Sequence, residues 1–444
     1  MTATRTETRL ADTPASVVVL SRDVIESTPA ATSDDMLRQV PGFSLFRRAG
    51  SRVANPTTQG VTLRGVGASG ASRALVLDDG IPLNDPFGGW VYWGRIARPS
   101  LERVEVLRGG ASDLYGSGAM GGVIQFIRRR DPALSAEISG GSQETLTGSV
   151  FASLGRDVWR GAVAIDAFDT AGHILVEPES RGAVDVAADS EHLAAEVSVH
   201  RNSAFLRLSH YDESRNNGTP LQVNDTTIRQ LAGGFDSALA GGRVGARGWI
   251  GDQDYHQTFS AIFSGRTGER LTNVQDIPSN NAGASAQWTR GFANTHALLA
   301  GAEVRRVEAL DREQGTTAAF IEDVMVLAPS LSVTAGLRFD AWEGRDAWSP
   351  RVAVLYQPSR GPSWTASAYR AFRAPTLNEL YRDFRVGNVI TLANESLGGE
   401  TVTGLEIGAR GNNIRATLFW MELDELISNV TLTVTPSLIT RQRQ

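Results

Sequence analysis

Histidines, paired carboxylates and serines near glycines are the residues of this sequence best suited to chemistry. No two histidines have the short spacing, such as H-x-x-x-H, that lets them share one metal ion. The run GASGA at residues 67–71 lacks the final glycine of a nucleophile elbow. Asp252 and Asp254 are expected in an outer loop, where solvated charge is favoured over a weak calcium site. We therefore predict no catalytic residue, no metal centre and no cofactor.

Two glycine-rich runs, residues 65–70 and 116–121, fit the dinucleotide fingerprint G-x-G-x-x-G. That fingerprint holds a pyrophosphate only where a helix begins directly after it. Here β-type sequence follows both runs, as SRALVL and GVIQFI. The sequence context therefore argues against nucleotide binding.

Composition excludes several classes of protein. The 444 residues allow two or more domains, and the absence of cysteine excludes disulfides and thiolate chemistry. All 43 basic residues are arginine, but the net charge is −6 and no basic stripe is present, so we expect no nucleic-acid partner. No run approaches ~18 apolar residues, so no transmembrane helix is predicted.

Residues 101–127, LERVEVLRGGASDLYGSGAMGGVIQFI, are the most informative stretch. Charged and apolar residues alternate, a glycine-dense loop follows, and VIQFI resumes a β-run, which indicates strand, loop and strand. Glycine at this density permits close approach and positive φ. The stretch resembles the end of the plug domain of TonB-dependent outer-membrane receptors. The motif residues are Glu102, Glu105, Gly109, Tyr115, Gly116, Gly121 and Gly122.

Three further pieces resemble the same plug: LRQVPG, LVLDDGIPLND and VTLRG, the last ending at Gly65. Short helices are expected after Ser21 and from Ser33, because serine is a favoured N-cap. The resemblance implies an N-terminal α+β plug domain over residues 1–130. Its many glycines leave a modest core, so we expect the plug to depend on surrounding walls.

From residue 131 onward the sequence is expected to form an antiparallel transmembrane β-barrel. Residues 331–341 alternate between apolar and polar, as do residues 413–418. A soluble sheet with one wet face would explain any single strand equally well. Short turns at one end and long loops at the other are typical of an outer-membrane barrel. Short polar turns recur here near Gly155, Asn202, Gly241, Gly291, Ser330, Gly361 and Gly411. Between them lie stretches expected to hold two strands and one long polar outer loop.

Seven short turns imply about fourteen strands. The segment AFRAPTLNELY at residues 371–381 again resembles the receptor family, whose plugged barrels have about 22 strands. We therefore expect a fragment that lacks about eight C-terminal strands, whose isolated form fails to insert. Residues Thr2 to Arg5 resemble the end of a Ton box, the segment that engages TonB. The signal peptide and most of that box would lie upstream of Met1.

The resemblance also implies plug–barrel ion pairs. Arg64 and Arg108 each precede a glycine of a plug motif, and matching arginines in the family pair with barrel glutamates. Glu406 fits one partner, and the other would fall beyond Gln444. Such pairs would hold the plug while allowing it to be pulled. The alternative is that these are ordinary surface arginines.

The segment PLNDPFGGWVYW at residues 82–93 is expected on a plug loop that meets the ligand. Packing of its aromatic side chains against the barrel wall is an equally favoured alternative. The ligand-facing candidates are Asn84, Asp85, Phe87, Trp90, Tyr92 and Trp93.

By resemblance, the expected function is TonB-dependent transport of a ferric siderophore or cobalamin across the outer membrane of a Gram-negative bacterium. The expected partners are TonB, that ligand and outer-membrane lipid. The alternatives are a surface receptor or passive channel without energy coupling, or a non-functional gene fragment. An enzyme would require a positioned acid–base pair, which the sequence does not offer.

Overall fold

A computed structural model describes residues 5, 13–46, 50–67, 70–293, 295–411 and 414–444. The Ton-box resemblance at Thr2, Ala3 and Thr4 lies outside these residues. An N-terminal part that we call the plug covers the described residues from 13 to 128. A large antiparallel sheet that we call the wall begins at residue 133. No helix in the described ranges has the length and apolarity needed to cross a membrane.

The plug mixes short strands and short helices, as the α+β prediction required. Its strands are β1 (Ser16–Ser21), β2 (Phe43–Leu45), β3 (Val61–Leu63), β4 (Ala74–Asp78), β5 (Ile81–Pro82), β6 (Leu101–Arg108) and β7 (Gly122–Arg128). Its helices are α1 (Arg22–Ser27), α2 (Ser33–Leu37) and α3 (Ser112–Tyr115), with 3-10 turns at Pro56–Thr58, Trp93–Arg95 and Arg98–Ser100. Five strands form one sheet in the order β1-β6-β7-β4-β5, and β2 pairs with β3.

The plug core lies between this sheet and the helices. Alternate residues of β6 and β7, such as Val104 and Ile124, pack on Met36 and Leu37 of α2 and are fully buried. The opposite face of the same sheet packs through Leu75 and other residues on the wall. The plug therefore has a core of its own but relies on the wall to cover its second face.

The wall consists of fifteen antiparallel strands in sequence order. They are β8 (Ala133–Gly140), β9 (Leu146–Arg156), β10 (Trp159–His173), β11 (Ala188–Arg201), β12 (Ala204–Asn216), β13 (Val223–Leu239), β14 (Gly242–Ile262), β15 (Glu269–Phe292), β16 (His296–Ala309), β17 (Arg312–Ala328), β18 (Leu331–Trp342), β19 (Arg345–Tyr356), β20 (Ser363–Arg373), β23 (Glu400–Arg410) and β24 (Arg415–Asp424). The strand missed by the turn-based count of fourteen is β8, because no short turn precedes it.

Side chains alternate along the wall with apolar residues outward and polar residues inward. On β18, Leu337 is 39% exposed whereas its neighbour Arg338 is 1% exposed. On β12, Leu206 and Leu208 are exposed around the buried Arg207. A soluble sheet would bury the leucines, so this inverted pattern fits a lipid-facing exterior. The predicted transmembrane barrel with an N-terminal plug is thereby confirmed as the fold class.

The short turns lie where the sequence places them, all at one end of the wall. At the opposite end the expected long loops are largely replaced by long strands. The strands β14 and β15 contain 21 and 24 residues, and only two residues separate β16 from β17 and β18 from β19. Asp252 and Asp254, expected in a loop, belong to β14. The prediction of long loops was wrong there because regular pairing continues through polar sequence beyond the ~9–11 residues that span a membrane.

A small second sheet lies at this opposite end. Its strands are β21 (Phe384–Val386), β22 (Val389–Leu392), β25 (Asn429–Val434) and β26 (Ile439–Arg443), and we call it the roof sheet. Helix α4 (Leu377–Tyr381) leads into it from β20. The roof sheet reaches the long strands, since Phe384 stacks on Phe259 of β14 and Gln275 of β15 donates to Asp383 O at 2.9 Å. The remaining 3-10 turns are Pro178–Ser180 and Ser264–Arg266.

Candidate functional site

The plug contacts the inner face of the wall from its first strand to its last. Arg98 of the plug donates to Glu137 of β8 at 2.8 Å, and Arg415 of β24 donates to Val17 O of the plug. Between these edges, Arg351 of β19 donates to Gly110 O at 2.8 Å. The wall therefore wraps the plug, and the interface between them is the candidate functional site.

Arg64 and Glu406 form a two-point ion pair between plug and wall. Arg64 Nη1 lies 2.6 Å from Glu406 Oε1 and Nη2 lies 3.0 Å from Oε2, with both side chains almost fully buried. Arg64 follows β3 directly with a φ of 59°, and Gly65 continues with a φ of 72°. These two residues with positive φ turn the chain so that the Arg64 guanidinium points at the wall. There it lies over the ring of Phe419, with 4.5 Å between Arg64 Cζ and the ring centroid.

Arg108 has a different environment. Its Nη2 donates to Ser16 Oγ at 2.8 Å and its Nη1 to Pro41 O at 3.1 Å. Burial, followed by the nearby guanidiniums of Arg64 and Arg415, lowers the pKa of Arg108. No carboxylate of the described residues lies within ion-pair distance of it. The predicted barrel partner of Arg108 thus stays a prediction.

The glycines of the plug motif stand where side chains would collide. A Cβ at Gly109 would strike Glu406 Oε1, and one at Gly116 would strike the Arg338 guanidinium. Gly122 adopts a φ of 137°, and its Cβ would meet Leu107 O. Gly121 N donates to Arg73 O at 2.6 Å. These glycines permit close approach within the plug and against the wall.

The other motif residues act within the plug or beside it. Glu105 is fully buried and pairs with Arg103 at 2.7 Å, whereas Glu102 lies near the surface and pairs with Arg22. The ring of Tyr115 is buried under the Arg5 guanidinium, 4.7 Å away.

Four buried charges link the plug to helix α4, and sequence reasoning missed them. Arg73 of the plug donates through Nε to Glu400 Oε2 at 3.1 Å, and Arg373 Nε donates to the same oxygen at 2.5 Å. Arg373 also holds Glu379 of α4 at 2.8 and 2.9 Å. We call Arg73, Glu400, Arg373 and Glu379 the charge chain. Arg373 and Glu379 belong to the quoted AFRAPTLNELY segment, which was a usable signal.

A second buried cluster surrounds Asp78 at the end of β4. Arg128 donates to both carboxylate oxygens of Asp78 at 2.8 Å and to Glu196 of β11 at 2.8 Å. Arg207 of β12 lies 3.1 Å from Asp78. Burial alone would raise the pKa of Asp78, but Arg128 and Arg207 hold it below the ordinary value. Asp78 therefore works as a charged anchor as well as a turn residue.

A cavity of about 180 Å³ lies between plug and wall, and two ligand-facing candidates line it. Asn84 and Asp85 contribute from the plug, and arginines dominate the remaining charge. Burial raises the pKa of Asp85 to about 6, although Gly88 N and Gln253 Nε2 each donate to its carboxylate at 2.6 Å. The lining arginines are Arg95, Arg229, Arg305, Arg306, Arg338 and Arg373.

The four aromatic candidates do not line this cavity. Trp90 is fully buried with its ring 5.6 Å from Tyr255 of β14, and Tyr92 lies 5.8 Å from Tyr211 of β12. Phe87 joins the same cluster, and Trp93 packs on Phe43 in the plug core. Burying a large ring against other rings is more favourable than exposing it to water at the plug apex. The position of these four side chains therefore corresponds to the alternative given for this segment, packing of the aromatic side chains.

Comparisons with known proteins agree with this architecture. Residues 9–123 match the TonB-dependent Receptor Plug Domain, and residues 160–443 match the TonB dependent receptor-like beta-barrel. The chain is 26% identical to the Vitamin B12 transporter BtuB of Vibrio vulnificus, over 95% of this chain and 71% of that protein. It is 28% identical to the Hemin receptor of Yersinia enterocolitica, over 92% of this chain and 65% of that protein.

Solved structures share the fold. The siderophore receptor PirA from Acinetobacter baumannii superposes with a TM-score of 0.74 at 16% identity, covering 96% of this chain and 75% of that chain. The open form of the ferric-catecholate import receptor Fiu from E. coli K12 has a TM-score of 0.70 at 15% identity, covering 98% and 80%. At these identities the likeness establishes the fold alone.

Proposed function

Because the chain belongs to the TonB-dependent receptor family, we propose that it takes part in TonB-driven uptake of a nutrient too large for porins. Barrels of this family lie in the outer membrane of Gram-negative bacteria, and we assign this protein to the same membrane. Its apolar exterior would contact lipid. TonB would engage the segment that precedes the plug.

The observation that carries this proposal is how the plug is held. Its ties to the wall include buried ion pairs, such as Arg64 with Glu406 and Arg73 with Glu400, set among inward-facing polar side chains. Polar contacts can be exchanged for water when a plug moves, whereas an apolar interface would have to expose its whole area. The arrangement supports a plug that is firmly seated at rest and removable under force.

A ferric siderophore or cobalamin is the proposed ligand class. The relatives are named as a vitamin B12 transporter and a hemin receptor, and the structural neighbours as siderophore receptors. We propose that the ligand meets the plug at the cavity edge through Asn84 and Asp85. The roof sheet and α4 would supply the remaining contacts.

Uptake into cells tests the proposal. The protein would be directed to the outer membrane of a strain without its own receptors, with or without TonB. Labelled cobalamin, hemin and a ferric catecholate would then be supplied separately. We expect one ligand to accumulate only with TonB and to bind the surface in both strains. Equal accumulation in both strains would indicate a passive channel. Binding without accumulation would indicate a receptor alone. No binding of any ligand would refute the assigned ligand class.

A further inference from the structure

Helix α3 inserts a carboxylate into a notch of the wall. The notch is made by Gly336 of β18, whose neighbours in register are Glu322 of β17 and Arg351 of β19. A Cβ at Gly336 would lie 3.1 Å from Asp113 Oδ2 and 3.6 Å from Glu322 Oε2. The two carboxylates therefore face the same gap, one from the plug and one from the wall.

The N–H groups of Asp113 and Leu114 reach the Asp113 carboxylate, but no cation of the described residues forms an ion pair with either carboxylate. Asp113 and Glu322 are 2% and 7% exposed, and Asp113 Oδ2 has no hydrogen-bond partner. Neither residue has an arginine within ion-pair distance among the described residues. Two ionised carboxylates sharing a buried site repel each other and lose their hydration, so one of them normally keeps its proton.

The charged groups around the pair lie on the wall strands that contact α3, which are β17, β18, β19 and β20. Arg351 is the nearest cation, but its Nη1 donates to Gly110 O and its guanidinium lies over the Tyr369 ring of β20. Arg338 of β18 is engaged by Asp340 and Glu303. One partly engaged guanidinium thus faces two carboxylates, which leaves one negative charge without compensation. Consistent with this imbalance, burial raises the pKa of Asp113.

We propose that Asp113 and Glu322 form a proton-binding site that latches the plug to the wall. One carboxyl keeps its proton and donates it to the other carboxylate across the interface. When the pH rises, the proton leaves to solvent and two like charges then face each other over Gly336. The latch is therefore closed by acid and loosened by alkali.

The sign follows from proton linkage. The seated plug binds one proton that the displaced plug, with both groups hydrated, releases. The equilibrium constant for local opening of the α3 segment should therefore rise by up to about tenfold per pH unit across the titration. Below that range the opening constant should be independent of pH.

Native-state hydrogen exchange of residues 111–119 in the detergent-solubilised protein measures this opening. Rates corrected for intrinsic exchange should show protection that falls with rising pH in the natural sequence. Asp113→Asn and Glu322→Gln should each remove that slope. Asp157→Asn, which removes an exposed carboxylate at a short turn of the wall, is the control and should keep it. A flat profile in the natural sequence, or a slope that survives Asp113→Asn, would overturn the proposal.

A second measurement does not depend on the variants folding. Infrared difference spectra of the natural protein should contain a protonated carboxyl band that disappears as the pH rises, together with the protection. If the protection falls while no such band changes, another group is responsible and the assignment to this pair is wrong.

Discussion

Arg64 and Glu406 stand 342 positions apart in the sequence and form a buried two-point ion pair at 2.6 and 3.0 Å. Planar guanidinium and carboxylate groups match each other in this geometry, which lysine cannot reproduce. Gly109 lies so close that no side chain fits between the pair and the plug. The pair thus fixes both the distance and the orientation of the plug against β23.

Glu406→Gln should weaken the seating of the plug strongly. The variant leaves the Arg64 charge buried without its partner, which costs about 3–5 kcal/mol in comparable sites. The urea concentration at which the plug unfolds within the intact barrel, followed by hydrogen exchange of β3, should fall accordingly. Asp157→Asn removes an exposed carboxylate at a short turn and should change the plug's free energy of unfolding by less than about 0.5 kcal/mol. Equal effects of the two substitutions would contradict a special role for the pair.

Acid should release helix α4 from the charge chain. Burial alone would raise the pKa of Glu379, but Arg373 and the hydrogen bonds from Thr376 lower it to about 2. A depressed carboxylate pKa stabilises the folded state above the ordinary value near 4.5, and this contribution is lost as the pH falls toward 2. Hydrogen exchange of residues 377–382 should accelerate over that range. Glu379→Gln should abolish the pH dependence. Thr376→Ala removes the cap and one hydroxyl bond to Glu379 but keeps the Arg373 contacts, so it should largely retain the pH dependence.

Asp85→Asn should stabilise the plug at neutral pH. Because burial raises the pKa of Asp85 to about 6, the folded protein loses stability as the pH rises from about 4 through that value. Asparagine keeps the bond from Gly88 N, and a flip of the Gln253 side-chain amide lets the asparagine N–H donate to Gln253 Oε1. We expect a gain of roughly 1–2 kcal/mol at pH 7, read from the plug's urea midpoint. Asp85→Ala, which loses the Gly88 bond, should destabilise, and a loss with both substitutions would contradict the argument.

A disulfide between Asp113→Cys and Gly336→Cys should block uptake. A Cβ built at Gly336 lies 3.7 Å from Asp113 Cβ, close to the ~3.8 Å typical of disulfides. The natural chain has no cysteine, so no competing thiol exists. Energised uptake should stop when the bond forms and return on reduction, while ligand binding persists in both states. The two single variants are the controls, and undiminished uptake by the oxidised protein would show that α3 need not leave β18.

Local rules made much of the fold predictable from the sequence. Alternation on β18 placed Leu337 outward and Arg338 inward, and polar dipeptides marked the turns, because both signals act between neighbouring residues. Glycines such as Gly109 and Gly122 were found through the resemblance to the plug motif, and close approach with positive φ explains why neither position holds a side chain.

Long-range pairing was less accessible. Arg73 and Glu400 are 327 positions apart, and nothing local distinguishes Arg73 from other arginines of the plug. The sequence around Trp90 and Tyr92 does not indicate whether their rings lie at the plug apex or pack against the wall. Tyr255 and Tyr211, which contact them, become their neighbours only when the wall folds around the plug.

The roof sheet and the plug are mechanically continuous through α4. Asn378 N of this helix donates to Phe87 O of the plug at 3.0 Å, and the charge chain joins the same helix to Arg73. A molecule can bind the roof sheet with one affinity when the plug is seated and another when the plug is displaced. By thermodynamic reciprocity, its binding must then change the free energy needed to displace the plug. In the proposed outer-membrane setting, a large molecule bound to the roof sheet would act as an effector of events at the opposite end of the wall, without touching the passage itself.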